Sequence, residues 1–148
     1  MAQNIIAMIY DFDLTLSPNY MQKPIFEDKR FKITETEFWQ KKEEFVEQHI
    51  KKGKNAETDT TYLHFIIEMT KKGKPLEGLT EKALQELGKK IEYYPAIPEF
   101  FENIKKEIEE QPENKPYGIK IEHYIVSTGL IEILRGSEIT KHMEQIDG

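Results

Sequence analysis

Asp11 and Asp13 stand two residues apart, with Thr15 two further on, in the run Asp11-Phe12-Asp13-Leu14-Thr15. Two carboxylates this close repel, which favours a divalent cation or a shared proton between them. If Asp11 and Asp13 hold a hard cation such as Mg²⁺, one carboxylate can act as nucleophile while the other handles protons. Thr15 offers a hydroxyl able to fix either carboxylate. A second polar cluster, Ser127-Thr128-Gly129, offers hydroxyls and, where a helix opens just after it, backbone N–H groups, a donor set that suits a phosphate. Metal, nucleophile, acid/base and oxyanion cradle together suit phosphoryl transfer. Taken singly, each cluster also has a plainer reading: Asp-x-Asp-x-Thr can cap a turn, and Ser-Thr-Gly is a common loop start. A calcium loop is excluded, because Leu16 stands where that loop needs Gly and Gln22 where it needs Glu.

The elements that carry these clusters are legible from hydrophobic pattern. Residues 5–12 read Ile-Ile-Ala-Met-Ile-Tyr-Asp-Phe, an almost continuous apolar run of the kind found in a parallel strand buried on both faces. Residues 119–126, Ile-Lys-Ile-Glu-His-Tyr-Ile-Val, predict a second strand, and a helix starts directly after it, with Gly136 as its stop. Both polar clusters therefore follow strand ends, where ligands bind in open α/β sheets. Between the strands the pattern is helical. Thr34 and Glu37 form a capping box ahead of Phe38, Phe45, Val46 and Ile50, with Gly53 closing the helix. Tyr62, Phe65, Ile66 and Met69 mark a second helix, and Ala83, Leu84, Leu87 and Ile91 a third that starts at Thr80. Pro98 opens a further helix with Phe100, Phe101, Ile104 and Ile108 on one face. The tail carries Ile139, Met143 and Ile146 at near-helical spacing.

Composition narrows the classes. The chain has 148 residues, a net charge of −6 and no Cys, so it has neither disulfides nor thiolate metal sites, and a reducing cytoplasm is expected. Acidic balance without a basic run argues against a nucleic-acid partner, and no apolar stretch approaches the length of a membrane span. Short lysine pairs such as Lys51-Lys52 and Lys71-Lys72 read as solvated helix ends. With 38% hydrophobic and 32% charged residues the chain is lean in core material, yet 8 Phe and 7 Tyr are too much apolar substance for a disordered polymer.

Ile5-Ile-Ala-Met-Ile-Tyr-Asp11-Phe-Asp13-Leu-Thr15-Leu resembles motif I of the haloacid dehalogenase (HAD) superfamily of hydrolases, and Tyr124-Ile-Val-Ser127-Thr-Gly129 resembles its motif II. Tyr94-Pro-Ala-Ile-Pro-Glu resembles the return into that family's core. The resemblance implies an α/β fold: a HAD-like Rossmannoid parallel-sheet core, here incomplete, over residues 1–16 and 94–148, with an all-helical cap inserted at 17–93. It implies a Mg²⁺-dependent phosphatase in which Asp11 becomes an aspartyl-phosphate and Asp13 first protonates the leaving oxygen, then activates water. Mg²⁺ would take the Asp11 carboxylate and the Asp13 backbone carbonyl, and Ser127 would bind phosphoryl oxygens, with Thr15, Thr128 and Gly129 beside it. Leu14 departs from the Gly frequent at that position of the family.

The family's later lysine and later acidic motif have no clear counterpart. Lys141 lies too close to Ser127, and Glu138, Glu144 and Asp147 lack a strand-end context in the sequence. An N-terminal part of a longer protein, inactive alone, is the expectation. A non-catalytic module that binds a phosphorylated ligand or a protein partner is the alternative. The expected partner is a small phosphorylated substrate, with neither nucleic acid nor membrane involved. Too few residues remain outside the cap for a full sheet, so the sheet edge is expected to be open to self-association. His49, His64 and Trp39 read as surface or packing residues of the helical block, and His123 as a strand residue packed on a helix.

Overall fold

The computed structural model describes residues 4–51 and 58–147. The chain is a mixed α/β protein with a small parallel sheet of three strands, ordered β1 (Asn4–Tyr10), β2 (Ile119–Val126) and β3 (Gln145–Asp147). β1 and β2 pair in parallel from Asn4 against Ile119 to Tyr10 against Ile125. β2 and β3 pair in parallel from Tyr124 against Gln145 to Val126 against Asp147. No helix among the described residues is long and apolar enough to cross a membrane.

The chain divides into two compact units. One comprises Met1–Met21 and Gln85–Gly148, the other Gln22–Leu84. The first holds the sheet, α5 (Ile97–Glu109) and α6 (Ile131–Gly136); α1 (Lys23–Glu27), α2 (Glu35–Lys51), α3 (Thr58–Met69) and α4 (Glu81–Gly88) lie between β1 and α5 in the chain. Among the described residues of the second unit there is no strand.

In the sheet unit, α5 covers one face. It buries Phe101 against His123 of β2, and Ile121, His123 and Ile125 are all buried there. The far end of α5 is tied to the start of β2 by Glu109. Its carboxylate accepts the Ile121 N–H at 2.8 Å and the Lys120 ammonium at 2.8 Å, contacts that hold the Glu109 carboxyl below its ordinary range. The last turn of α4 meets α6 without room for a side chain. A Cβ on Gly88 would lie 2.1 Å from the Ile133 carbonyl oxygen, and one on Gly136 would lie 2.0 Å from that of Gln85.

The helical unit is built on an aromatic core. Phe38 lies against Phe26, Trp39, Phe65 and Tyr62, and Trp39 stacks on Tyr62. The capping box at the start of α2 forms: the Thr34 N–H donates to Glu37 Oε2 at 2.9 Å, and the Glu37 N–H donates to Thr34 Oγ1 at 3.3 Å. Gly53, read as the stop of this helix, lies outside the described residues.

Four local readings are corrected. β1 is not buried on both faces: Ile5, Ile6 and Ile9 are exposed, because among the described residues β1 is an edge strand, paired with β2 alone. The tail is not helical throughout. Glu138–His142 makes a 3₁₀ turn and Gln145–Asp147 a third strand, and three strand residues are too few to set a period against the helical spacing of Ile139, Met143 and Ile146. Asp147 therefore does end a parallel strand. Finally, α4 stops at Gly88, so Ile91 falls beyond it.

Candidate functional site

Both polar clusters belong to the sheet unit. The chain leaves β1 at Asp11 and folds tightly around Phe12, which is fully buried. The Phe12 carbonyl accepts the N–H groups of Thr15, Leu16 and Ser17 at 3.2, 2.9 and 3.3 Å. This anchored turn aims the flanking side chains outward, and it sets Leu14 at φ +60°, in the left-handed region that favours glycine. Thr15 Oγ1 donates to Asp11 Oδ2 at 3.2 Å, so the hydroxyl fixes the first carboxylate, which is exposed. Asp13 is half-buried, and its Oδ1 accepts the Met21 N–H at 2.8 Å. Burial, helped by the charge of Asp11 and opposed by the Met21 hydrogen bond, pushes the Asp13 carboxyl up to about 6. An acid in that range can both give and take a proton near neutral pH.

At the end of β2 the Ser127 N–H donates to the Asp147 carbonyl at 3.0 Å, which continues the ladder to β3. Ser127 Oγ accepts the Gly129 N–H at 3.2 Å. The next amide, Leu130 N–H, is directed at the Met21 sulfur at 3.0 Å. Two of the amides expected to cradle an anion thus already have acceptors in the chain. The side-chain donors of this cluster are the Ser127 and Thr128 hydroxyls, and Thr128 is exposed. The register that sets Tyr10 against Ile125 brings Asp11 and Asp13 onto the strand end next to that of Ser127, Thr128 and Gly129.

Met21 joins the two clusters, and sequence reasoning missed it. Its backbone holds Asp13, and its side chain lies where a Cβ on Gly129 would stand, 2.2 Å from Met21 Cε. Nothing in the local pattern around Met21 signals either contact. Asp147 is a second addition, brought beside Val126 by a strand of three residues; its carboxylate accepts the Gln145 side-chain amide at 2.8 Å.

The donors suit a hard cation in kind but not in number. Asp11 and Asp13 supply carboxylate oxygens, and Mg²⁺ is often held by one or two carboxylates completed by water and substrate phosphate. Among the described residues no group of three or more His, Cys, Asp or Glu is placed to hold a metal. The histidines lie elsewhere. His123 is buried, with Nδ1 at 3.1 Å from the Tyr10 hydroxyl and Nε2 at 3.1 Å from the Phe101 carbonyl. His49 and His64 sit on α2 and α3 around Phe45.

No family model and no solved structure matches the chain. An uncharacterized protein of Borreliella burgdorferi is 31% identical to it over 145 residues, an alignment that takes in 97% of this chain and 49% of that protein. The chain thus spans about half the length of the curated relative it matches.

Proposed function

We propose that the chain carries the nucleophile-bearing part of a Mg²⁺-dependent phosphohydrolase of the HAD type, and that it is inactive alone. One observation carries this reading. Two carboxylates follow β1, one of them with its carboxyl raised to about 6, beside the hydroxyls that follow the neighbouring parallel strand.

Asp11, the exposed carboxylate, attacks phosphorus: its oxygen forms the new P–O bond as the bond to the ester oxygen breaks. Asp13, protonated at the start, gives its proton to the leaving oxygen. Asp13 then takes a proton from water as that water attacks the aspartyl-phosphate, and the P–O bond to Asp11 breaks to regenerate both carboxyl groups and release phosphate. Thr15 orients Asp11 through its hydrogen bond. Ser127 and Thr128 offer hydroxyl protons to the phosphoryl oxygens, with Gly129 leaving room beside them. Mg²⁺, held by the Asp11 carboxylate and the Asp13 backbone carbonyl with further ligands from outside this chain, would screen the charge between nucleophile and phosphate.

The donor count supports inactivity of the isolated chain. Hydrolysis of a generic aryl phosphate with Mg²⁺ tests it: negligible turnover is expected, and robust turnover lost in Asp11→Asn would overturn it. The phosphoryl reading itself is tested on the full-length Borreliella burgdorferi relative, with the counterpart of Asp11 changed to Asn. Mg²⁺-dependent hydrolysis lost in that variant is expected, and no hydrolysis would count against it. The incomplete donor set also favours a second reading, a non-catalytic module that binds a phosphorylated ligand or a protein partner. In that case calorimetry with phosphate and Mg²⁺ shows binding, while the full-length relative hydrolyses no aryl phosphate.

A further inference from the structure

The cations of this chain are not spread evenly. Residues 28–32, Asp-Lys-Arg-Phe-Lys, and residues 71–77, Lys-Lys-Gly-Lys-Pro-Leu-Glu, carry six basic and two acidic side chains, a net +4 in a chain whose total is −6. The rest of the molecule therefore carries −10. Both segments lie in the helical unit, Gln22–Leu84, and the fold sets them side by side. The Lys32 N–H donates to the Pro75 carbonyl at 3.1 Å, and the Leu76 N–H to the Met69 carbonyl at 3.0 Å. Phe31, Ile33, Leu76 and Leu79 are buried. These apolar anchors fix both backbones while Lys32 and Lys74 stay exposed.

An open cavity of about 380 Å³ lies between the segments, lined by Arg30, Lys32, Gly73, Lys74, Pro75 and Glu77. Its charges are not equally available. Asp28 takes the Arg30 guanidinium through both carboxylate oxygens, each at 3.0 Å. The Glu77 carboxylate accepts the Gly73 N–H at 2.7 Å, which holds it against its own loop. Lys71 pairs with Glu68 of α3, as a helix-end lysine commonly does. Lys32 and Lys74 differ: among the described residues neither ammonium has an ion-pair partner. Like charges gathered in one concave site repel, and a bound anion relieves that repulsion.

We propose that this cavity binds the phosphate dianion of a small ligand, held between the Lys32 and Lys74 ammonium groups. Two unpaired monocations match one dianion. An ammonium is a compact point charge with three donors, which suits a tetrahedral oxyanion, whereas a planar carboxylate is matched better by a guanidinium fork. The volume falls at the lower end of small-molecule sites, about 300–1,000 Å³, which favours a free phosphate or a small ester over a polymer. The site lies within the helical unit. It depends neither on Asp11 and Asp13 nor on the phosphohydrolase reading.

The test titrates the isotope-labelled chain with inorganic phosphate or with glycerol phosphate, without Mg²⁺, and reads amide chemical shifts. Saturable shifts at Lys32, Gly73, Lys74 and Leu76 are expected, with a Kd of about 1 mM or tighter that weakens as salt is raised. Tighter binding of glycerol phosphate marks an ester as the source, and tighter binding of phosphate marks the free ion. Lys32→Gln combined with Lys74→Gln changes two exposed side chains and should leave the circular dichroism spectrum intact. It is expected to weaken binding at least about 10-fold. Lys115→Gln, an exposed lysine of the sheet unit, is expected to leave binding unchanged. Shifts that do not saturate, or binding indifferent to the double variant, would overturn the site. Shifts confined to Ser127–Leu130 would overturn it as well, while supporting the phosphoryl reading of that cluster.

Discussion

The backbone N–H of Met21 donates to Asp13 Oδ1 at 2.8 Å, while the sulfur of the same residue receives the Leu130 N–H at 3.0 Å. One methionine thus ties the turn after β1 to the loop after β2. The hydrogen bond lowers the Asp13 carboxyl, but burial outweighs it and the group settles at about 6.

The first prediction follows from that balance. The folded value lies above the ordinary 3.8, so between about pH 4 and 6 the folded chain holds a proton that the unfolded chain has lost. Stability from this group is fully present below pH 4 and is lost as pH rises through 6. Asp13→Asn keeps an acceptor for Met21 and removes the charge. Allowing for solvent around a half-exposed group, it should be more stable than wild type by about 1–2 kcal/mol at pH 8. The difference should vanish below pH 4. Urea unfolding at pH 4, 6 and 8 without divalent cations measures this, and a variant less stable than wild type at pH 8 would refute it.

His123 acts with the opposite sign. Burial holds its imidazole below the ordinary 6.5, so the fold keeps it neutral and loses stability as pH falls through 6.5. The neutral ring can accept from the Tyr10 hydroxyl and donate to the Phe101 carbonyl, which ties β1, β2 and α5 at one point. Tyr10→Phe leaves the Nδ1 acceptor buried without its donor and should cost about 1–3 kcal/mol. Thermal melts at pH 8 report it, and an unchanged midpoint would contradict the network.

Leu14 offers a stabilising change. An L-residue in the left-handed region costs about 1–2 kcal/mol, while glycine adds about 0.5–1 kcal/mol of chain entropy. The Leu14 side chain is exposed and contributes little packing. Leu14→Gly should therefore leave stability level or raise it by up to about 1 kcal/mol. A loss beyond about 1 kcal/mol in denaturant unfolding would mean that the side chain is packed after all.

Gly136 should tolerate nothing larger. Its Cβ would meet the backbone of Gln85, which cannot swing aside as a side chain would. Gly136→Ala should cost about 2–3 kcal/mol by forcing α6 away from α4. A midpoint within experimental error of wild type would show that the helices separate freely.

The sequence by itself determined the local elements and the chemistry at their ends. Seven near-continuous apolar residues make β1 a parallel-type strand, alternation marks β2, and Thr34 with Glu37 starts α2, because each signal spans at least one period of its own element. The polar residues that follow β1 and β2 could be read for the same reason. Tertiary structure alone decided what touches them. Met21 reaches Leu130 across 109 positions, and Tyr10 reaches His123 across 113, distances over which no local pattern carries information. β3 is shorter than any usable period and exists because β2 offers it an edge. The backbone of Leu14 is turned left-handed by three N–H groups converging on one buried carbonyl, a constraint its own side chain opposes. The exposure of β1 is likewise a property of its neighbours: the strand has an interior sequence, and only the sheet order shows that, among the described residues, it pairs on one side alone.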